Sequence, residues 1–65
     1  MNIYEALREE IKRNEELLKT VTGDTPEAGF KRKSITIELE LAEKALKDED
    51  IIKIMRMYRH MRKNK

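Results

Sequence analysis

The absence of cysteine from a chain of only 65 residues is the feature that most constrains its fold. Without cysteine there are no disulfides and no thiolate metal sites, which staple many small domains together. A domain of this size buries only about 60% of the surface that its unfolded chain exposes, so a single copy has a marginal core. Charged residues make up 43% of the sequence and hydrophobic residues 38%. We therefore expect a single domain, residues 1–65, that gains core by assembling as a homo-oligomer.

The first segment has the spacing of an amphipathic helix. Asn2 is a favourable N-cap residue, and Glu5 follows three positions later, as in a capping box. Gly23 is the predicted stop. Glu10 and Asn14 fall inside the apolar face, where a polar group is costly unless it has a partner. We favour a structural role for both residues, in fixing register or oligomer state, over contact with a polar ligand. The apolar positions of this face are Ile3, Leu7, Ile11, Leu18 and Val21.

The second segment admits two interpretations. Thr25 followed by Pro26 is a helix start signal. Residues 34–41 alternate between polar and apolar, as a half-buried strand does. The same region also carries two apolar stripes at helical spacing, which is typical of a helix with neighbours on both sides. We favour the helix and keep the strand as the alternative. The first of the two stripes is formed by Ile35, Leu39, Ala42 and Leu46.

The third segment begins at three acidic residues, 48–50, which suit the N-terminus of a helix. The predicted fold is therefore all-α, with a three-helix protomer that combines a long helical hairpin and a C-terminal helix. The apolar face of the third helix is predicted to hold Ile51, Ile54, Met55, Tyr58 and Met61.

Charge is distributed unevenly along the chain. Residues 1–29 carry four basic and seven acidic side chains, net −3, and residues 30–65 carry eleven basic and six acidic ones, net +5. Residues 51–65 hold six basic residues and no acidic residue. This last helix either presents a solvated face, pairs with the acidic first helix, or contacts a nucleic-acid backbone. The residues predicted for a nucleic-acid contact are Arg56, Arg59, Arg62 and Lys63.

Catalytic chemistry has few candidates in this sequence. The only serine is Ser34 and the only histidine is His60, which has no carboxylate at helical spacing to orient it. Asp48–Asp50 lacks the spacing and the glycine of a calcium loop. We expect no enzymatic activity, no metal and no cofactor. There is no apolar run long enough to span a membrane and no signal peptide is expected, so the prediction is a cytoplasmic protein without a membrane partner.

The segment from Gly29 to Ser34 is the strongest candidate binding site. Lys31, Arg32 and Lys33 are three consecutive cations near the start of the second helix, where the helix dipole favours an anion. Cations at this position interact unfavourably with the helix dipole unless an anion lies between them. We expect a phosphate there, bound by these cations, by free N–H groups and by the hydroxyls of Thr25 and Ser34. Phe30 or Tyr4 is expected to stack on a base. The alternatives are a solvated basic turn that pairs with acids of the first helix, and a helix that begins after Lys33.

Three short stretches resemble proteins encoded by bacteriophages and prophages. They are Asn2–Ile11, the Gly29-Phe30 turn, and Ala42–Leu46 before an acidic cap. Small helical phage proteins of this kind include the nucleotide sponges of anti-CBASS and anti-Thoeris defence evasion. The resemblance implies an oligomer in the cytoplasm of the bacterial host that sequesters a cyclic-nucleotide immune signal without cleaving it. The alternatives are a nucleic-acid-binding regulator and a helical inhibitor or adaptor of a host protein.

Overall fold

The computed structural model describes residues 2–64, which contain three α-helices joined by two short connections. The helices are α1 (Ile3–Thr20), α2 (Pro26–Lys47) and α3 (Ile51–Arg62). α1 and α2 form a hairpin, and α3 packs against both of them. The predicted all-α class and the hairpin with a C-terminal helix are confirmed for the described residues. The strand interpretation of residues 34–41 is wrong, because these residues lie in the middle of α2.

The predicted helix starts are also correct. In every helix the N-cap side chain accepts a hydrogen bond from the backbone N–H three residues later, and the caps are Asn2, Thr25 and Asp50. α1 ends at Thr20, earlier than the predicted stop at Gly23. Gly23 instead turns the following loop, with a φ of 102° that favours glycine.

A Schellman motif joins α2 to α3 in only three residues. The backbone N–H of Asp50 donates to the carbonyl of Ala45, and that of Glu49 donates to the carbonyl of Leu46. Glu49 has a φ of 53°, in the left-handed region that glycine normally occupies at this position. Asp50 also caps α3, so this one residue takes part in both the end of α2 and the start of α3.

The core lies where all three helices meet. The buried apolar cluster comprises Leu7, Ile11, Ala42, Ala45, Ile54 and Met61. On α3 the predicted face is confirmed at Ile54 and Met61, whereas Ile51 and Met55 are exposed, and Met57 packs against the cluster in their place. With 12 residues against 22, α3 is about 15 Å shorter than α2 at 1.5 Å per residue. The end of the hairpin near the α1–α2 loop therefore has no third helix over it.

We expect Glu49→Gly to stabilise the protein by about 0.5–1 kcal/mol, because a side chain in the left-handed region is strained and glycine is not. Chemical denaturation followed by circular dichroism measures the free energy of unfolding. Asp48→Gly is the matched control: Asp48 is right-handed, with φ −82° and ψ −5°, so glycine there only adds unfolded-state entropy and should destabilise. Stabilisation by both variants, or by neither, would contradict the assigned motif.

Candidate functional site

A buried asparagine connects the three helices at the C-terminal end of α3. Asn14 on α1 is 0% exposed. Its Nδ2 donates to the Glu10 carbonyl at 2.8 Å and to the Met61 carbonyl at 3.3 Å. Its Oδ1 accepts from Nδ2 of Asn64 at 2.8 Å, and the same Asn64 amide donates to the Glu38 carboxylate on α2 at 2.7 Å. One polar side chain thereby ties α1 to α3, and through Asn64 to α2.

Arg13 completes this cluster from the neighbouring position on α1. Its guanidinium donates to the carbonyl of Met61, in the last turn of α3, at 2.6 Å and to the carbonyl of Asn64, just beyond that helix, at 2.8 Å. Glu10 holds the guanidinium in place through an ion pair at 3.0 Å. The hydrogen bond to Glu10 raises the pKa of Arg13, so the guanidinium stays charged. Glu10 and Asn14 therefore have their polar partners inside the same chain.

The predicted phosphate segment does not lie at a helix N-terminus. α2 begins at Pro26, so Lys31–Ser34 lie in its second and third turns, where backbone N–H groups bond to carbonyls of the preceding turn. At the true start of α2 the Thr25 hydroxyl accepts from the Ala28 N–H at 3.2 Å and is used as the cap. The cradle of free N–H groups expected from the sequence is therefore not formed around the three cations.

Arg32 has a structural partner of its own. Its guanidinium donates to the carbonyls of Val21 at 3.2 Å and Gly23 at 3.1 Å, and so fastens the α1–α2 loop to the side of α2. Gly29, one turn earlier on α2, has open space where a Cβ would lie, with the nearest side-chain atom, of Arg32, at 4.0 Å.

The other predicted residues fall into two groups. Phe30, Lys33 and Ser34 line a shallow depression on α2 together with Ile37. Tyr4 is half-buried and packs against the core cluster near the opposite end of the hairpin. Since Tyr4 lies 16 residues before the end of α1, it is about 24 Å along the axis from the α1–α2 loop. Phe30 and Tyr4 of one chain therefore do not stack on the same base.

A groove between α2 and α3 brings together residues that the sequence had not linked. We call it the basic groove; its volume is about 290 Å³. Its apolar lining consists of Ala45 and Met57 inside the groove and the half-exposed Leu41 at its edge. Its rim is basic, and the rim residues are Lys44, Lys53, Arg56 and His60. Their side chains are exposed, and none of the four forms an ion pair with a carboxylate among residues 2–64.

Lys53, Arg56 and His60 lie three and four positions apart, on one line of α3. The helical spacing of these three residues was visible in the sequence. What was missing is the packing angle of α3 on α2, which sets Lys44 and Leu41 opposite them. The four residues predicted to contact nucleic acid are divided between the flanks of α3. Arg56 lines the basic groove, and the guanidinium of Arg62 lies 5.4 Å from the ring centroid of Tyr58.

Residues 2–64 contain no group of three or more His, Asp or Glu side chains close enough together to hold a metal ion. Within the same range, none of the helices combines the length and apolar character needed to cross a membrane. Comparison of the chain with protein-family models, curated proteins and solved structures gives no match.

Asn14→Ala should lower the free energy of unfolding by about 1–3 kcal/mol, because it removes a buried donor and acceptor and leaves their partners with fewer bonds. Glu15→Ala, the exposed neighbour on α1, is the matched control and should change it by less than about 0.5 kcal/mol. Urea denaturation provides both values. Equal effects of the two substitutions would show that the cluster does not hold α3 in place.

Arg32→Ala is expected to destabilise the fold by about 1 kcal/mol, since two loop carbonyls lose their donor. Arg8→Ala removes an exposed arginine with no described hydrogen bond or ion pair, and should be near neutral. Hydrogen exchange of the α1–α2 loop provides a second measurement, because only Arg32→Ala should speed it. Unchanged exchange in that variant would argue against the loop contact.

Proposed function

We propose that this protein binds a small phosphorylated anion of the cyclic-nucleotide class in the basic groove and holds it without cleaving it. The observation that carries the proposal is the set of four basic side chains around an apolar lining, none of which has an acidic partner in the described chain. Unpaired cations converging on one concave surface favour an anionic ligand.

The two parts of the groove suit the two parts of a nucleotide. Phosphate oxygens accept charge-assisted hydrogen bonds from lysine and arginine, and the planar guanidinium of Arg56 is suited to two such bonds at once. Apolar side chains of Leu41 and Met57 offer a surface on which a base or sugar can lie. A purely ionic ligand has no use for this lining, whereas a nucleotide uses both parts.

The surroundings of the only histidine favour binding over turnover. A histidine acting as general base is normally oriented by a carboxylate or carbonyl, and it acts on a nearby nucleophile. His60 is exposed, and its imidazole makes no hydrogen bond within residues 2–64. In the phage setting that the resemblance implies, the protein acts as a homo-oligomeric sponge in the host cytoplasm that withdraws an immune signal from its receptor.

We expect cyclic dinucleotides, tested individually by isothermal titration calorimetry, to include at least one that binds the unmodified protein. Arg56→Glu should weaken that binding about tenfold or more, because it removes a cation and adds a negative charge at the groove. The bound nucleotide should be recovered intact after denaturation, as measured by mass spectrometry. Recovery of hydrolysed nucleotide would contradict binding without cleavage.

Arg59→Glu is the matched control, since it makes the same charge change on α3 outside the residues that line the groove. It should leave nucleotide affinity within about twofold, the change expected from long-range charge alone. If both variants weaken binding equally, and duplex DNA binds with a steep salt dependence, the nucleic-acid alternative replaces this proposal. If neither nucleotides nor DNA bind, the remaining reading is a helical adaptor of a host protein.

A further inference from the structure

An exposed apolar stripe runs along the outer side of α2. Phe30 is 77% exposed, Ile37 45% and Leu41 51%. At 100° per residue these three side chains lie within about 40° of one another around the helix. They form one continuous line that no part of residues 2–64 covers. We call this line the α2 stripe.

Charges of opposite sign flank the stripe on one side. Lys33 and Glu40 are both exposed and lie about 60–80° from Phe30 in the same direction around α2. Lys44 is also exposed on this side, about 40° from Phe30 and four residues beyond Glu40. They lie near the two ends of the stripe, Lys33 toward its N-terminal end and Glu40 toward its C-terminal end. A second helix of the same sequence, running antiparallel, brings lysine opposite glutamate at both ends.

We infer that the α2 stripe pairs with the α2 stripe of a second copy in an antiparallel, two-fold symmetric dimer. In this register Lys33 lies level with Glu40 of the second copy, and the reverse pair forms at the other end. Ile37 meets its own counterpart near the two-fold axis, and Phe30 lies beside Leu41 of the second copy. In each of these pairs, the two residues differ in position along the helix axis by no more than about 3 Å. Such self-complementarity is what a two-fold interface requires.

A second exposed apolar patch is smaller. It comprises Ile51, Ile52 and Met55 at the start of α3. It extends over about 6 Å of the helix axis, whereas the α2 stripe extends over about 16 Å at 1.5 Å per residue. The α2 stripe is therefore the longer apolar surface, and its charges are arranged to pair with those of a second copy of the same chain.

The dimer has a consequence for the basic groove, which rests on the proposed function. Phe30 of the second copy lies level with Glu43, beside Leu41 at the open edge of the groove. The second chain thereby supplies an aromatic side chain next to the cations of the first. The dimer itself requires no ligand, so the tests of assembly and of nucleotide binding are independent.

Sedimentation equilibrium between about 1 μM and 1 mM should show the unmodified protein as a concentration-dependent dimer, and Ile37→Asp as a monomer. Lys33→Glu and Glu40→Lys should each weaken self-association at least tenfold, since each places like charges together at both ends. An equimolar mixture of these two variants should dimerise as well as the unmodified protein, because every contact then pairs opposite charges. Circular dichroism should be unchanged throughout, because all the substituted side chains are exposed.

The double variant Lys33→Glu/Glu40→Lys restores both pairs within one chain and should also self-associate, which keeps the test informative if a single variant fails to fold. Three results would overturn the inference: a monomer at 1 mM, unchanged association of either single variant, or a mixture that fails to associate. Nucleotide binding by a protein that stays monomeric would reject the dimer and leave the proposed function standing.

Discussion

The arrangement of this molecule depends on the hydrogen bonds that Asn14 makes inside the bundle. A buried amide is costly without partners, and here both its donor and its acceptor atoms are used. Its partners are on α3 as well as α1, so burying the amide and docking the end of α3 are one event. Arg13, at the adjacent position, also donates to the Met61 carbonyl and donates to that of Asn64. The axial position of α3 on the hairpin, and hence the depth and lining of the basic groove, follow from this contact.

Because α3 is short and covers only part of the hairpin, two surfaces of α2 remain open. Beside α3, residues of α2 and α3 face each other across the basic groove, and their cations form no ion pair with a carboxylate of residues 2–64. On the outer side of α2, Phe30, Ile37 and Leu41 remain exposed. Leu41 belongs to both surfaces, which is why the proposed assembly and the proposed binding site are neighbours.

Local signals in the sequence predicted the elements well. N-cap side chains, the Thr25-Pro26 start and the helical spacing of apolar residues depend on interactions over three or four positions, and the structure agrees with them. The turn at Glu49 was less predictable, because a left-handed residue is expected to be glycine and here is not. The predicted stop of α1 was late, because the helix ends at Thr20 and the extended Val21 precedes the turn at Gly23. The basic segment was predicted to lie near enough to the start of the second helix for its cations and the free N–H groups to bind one phosphate. Gly29 is a helical residue, and the cations lie inside α2.

The sequence by itself determined the helix starts and the presence of two polar residues within an apolar face, and it favoured the all-α class, since each follows from contacts between residues close in the chain. The structure decided that residues 34–41 are helix. Tertiary structure alone decided what the polar side chains touch. It directed Arg32 to the carbonyls of the α1–α2 loop, Asn14 to the end of α3, and Lys44 to the same groove as Arg56. These contacts join positions 9 to 47 residues apart. They depend on how the helices lie against one another, and the periodicity of a single helix carries no information about that angle or level.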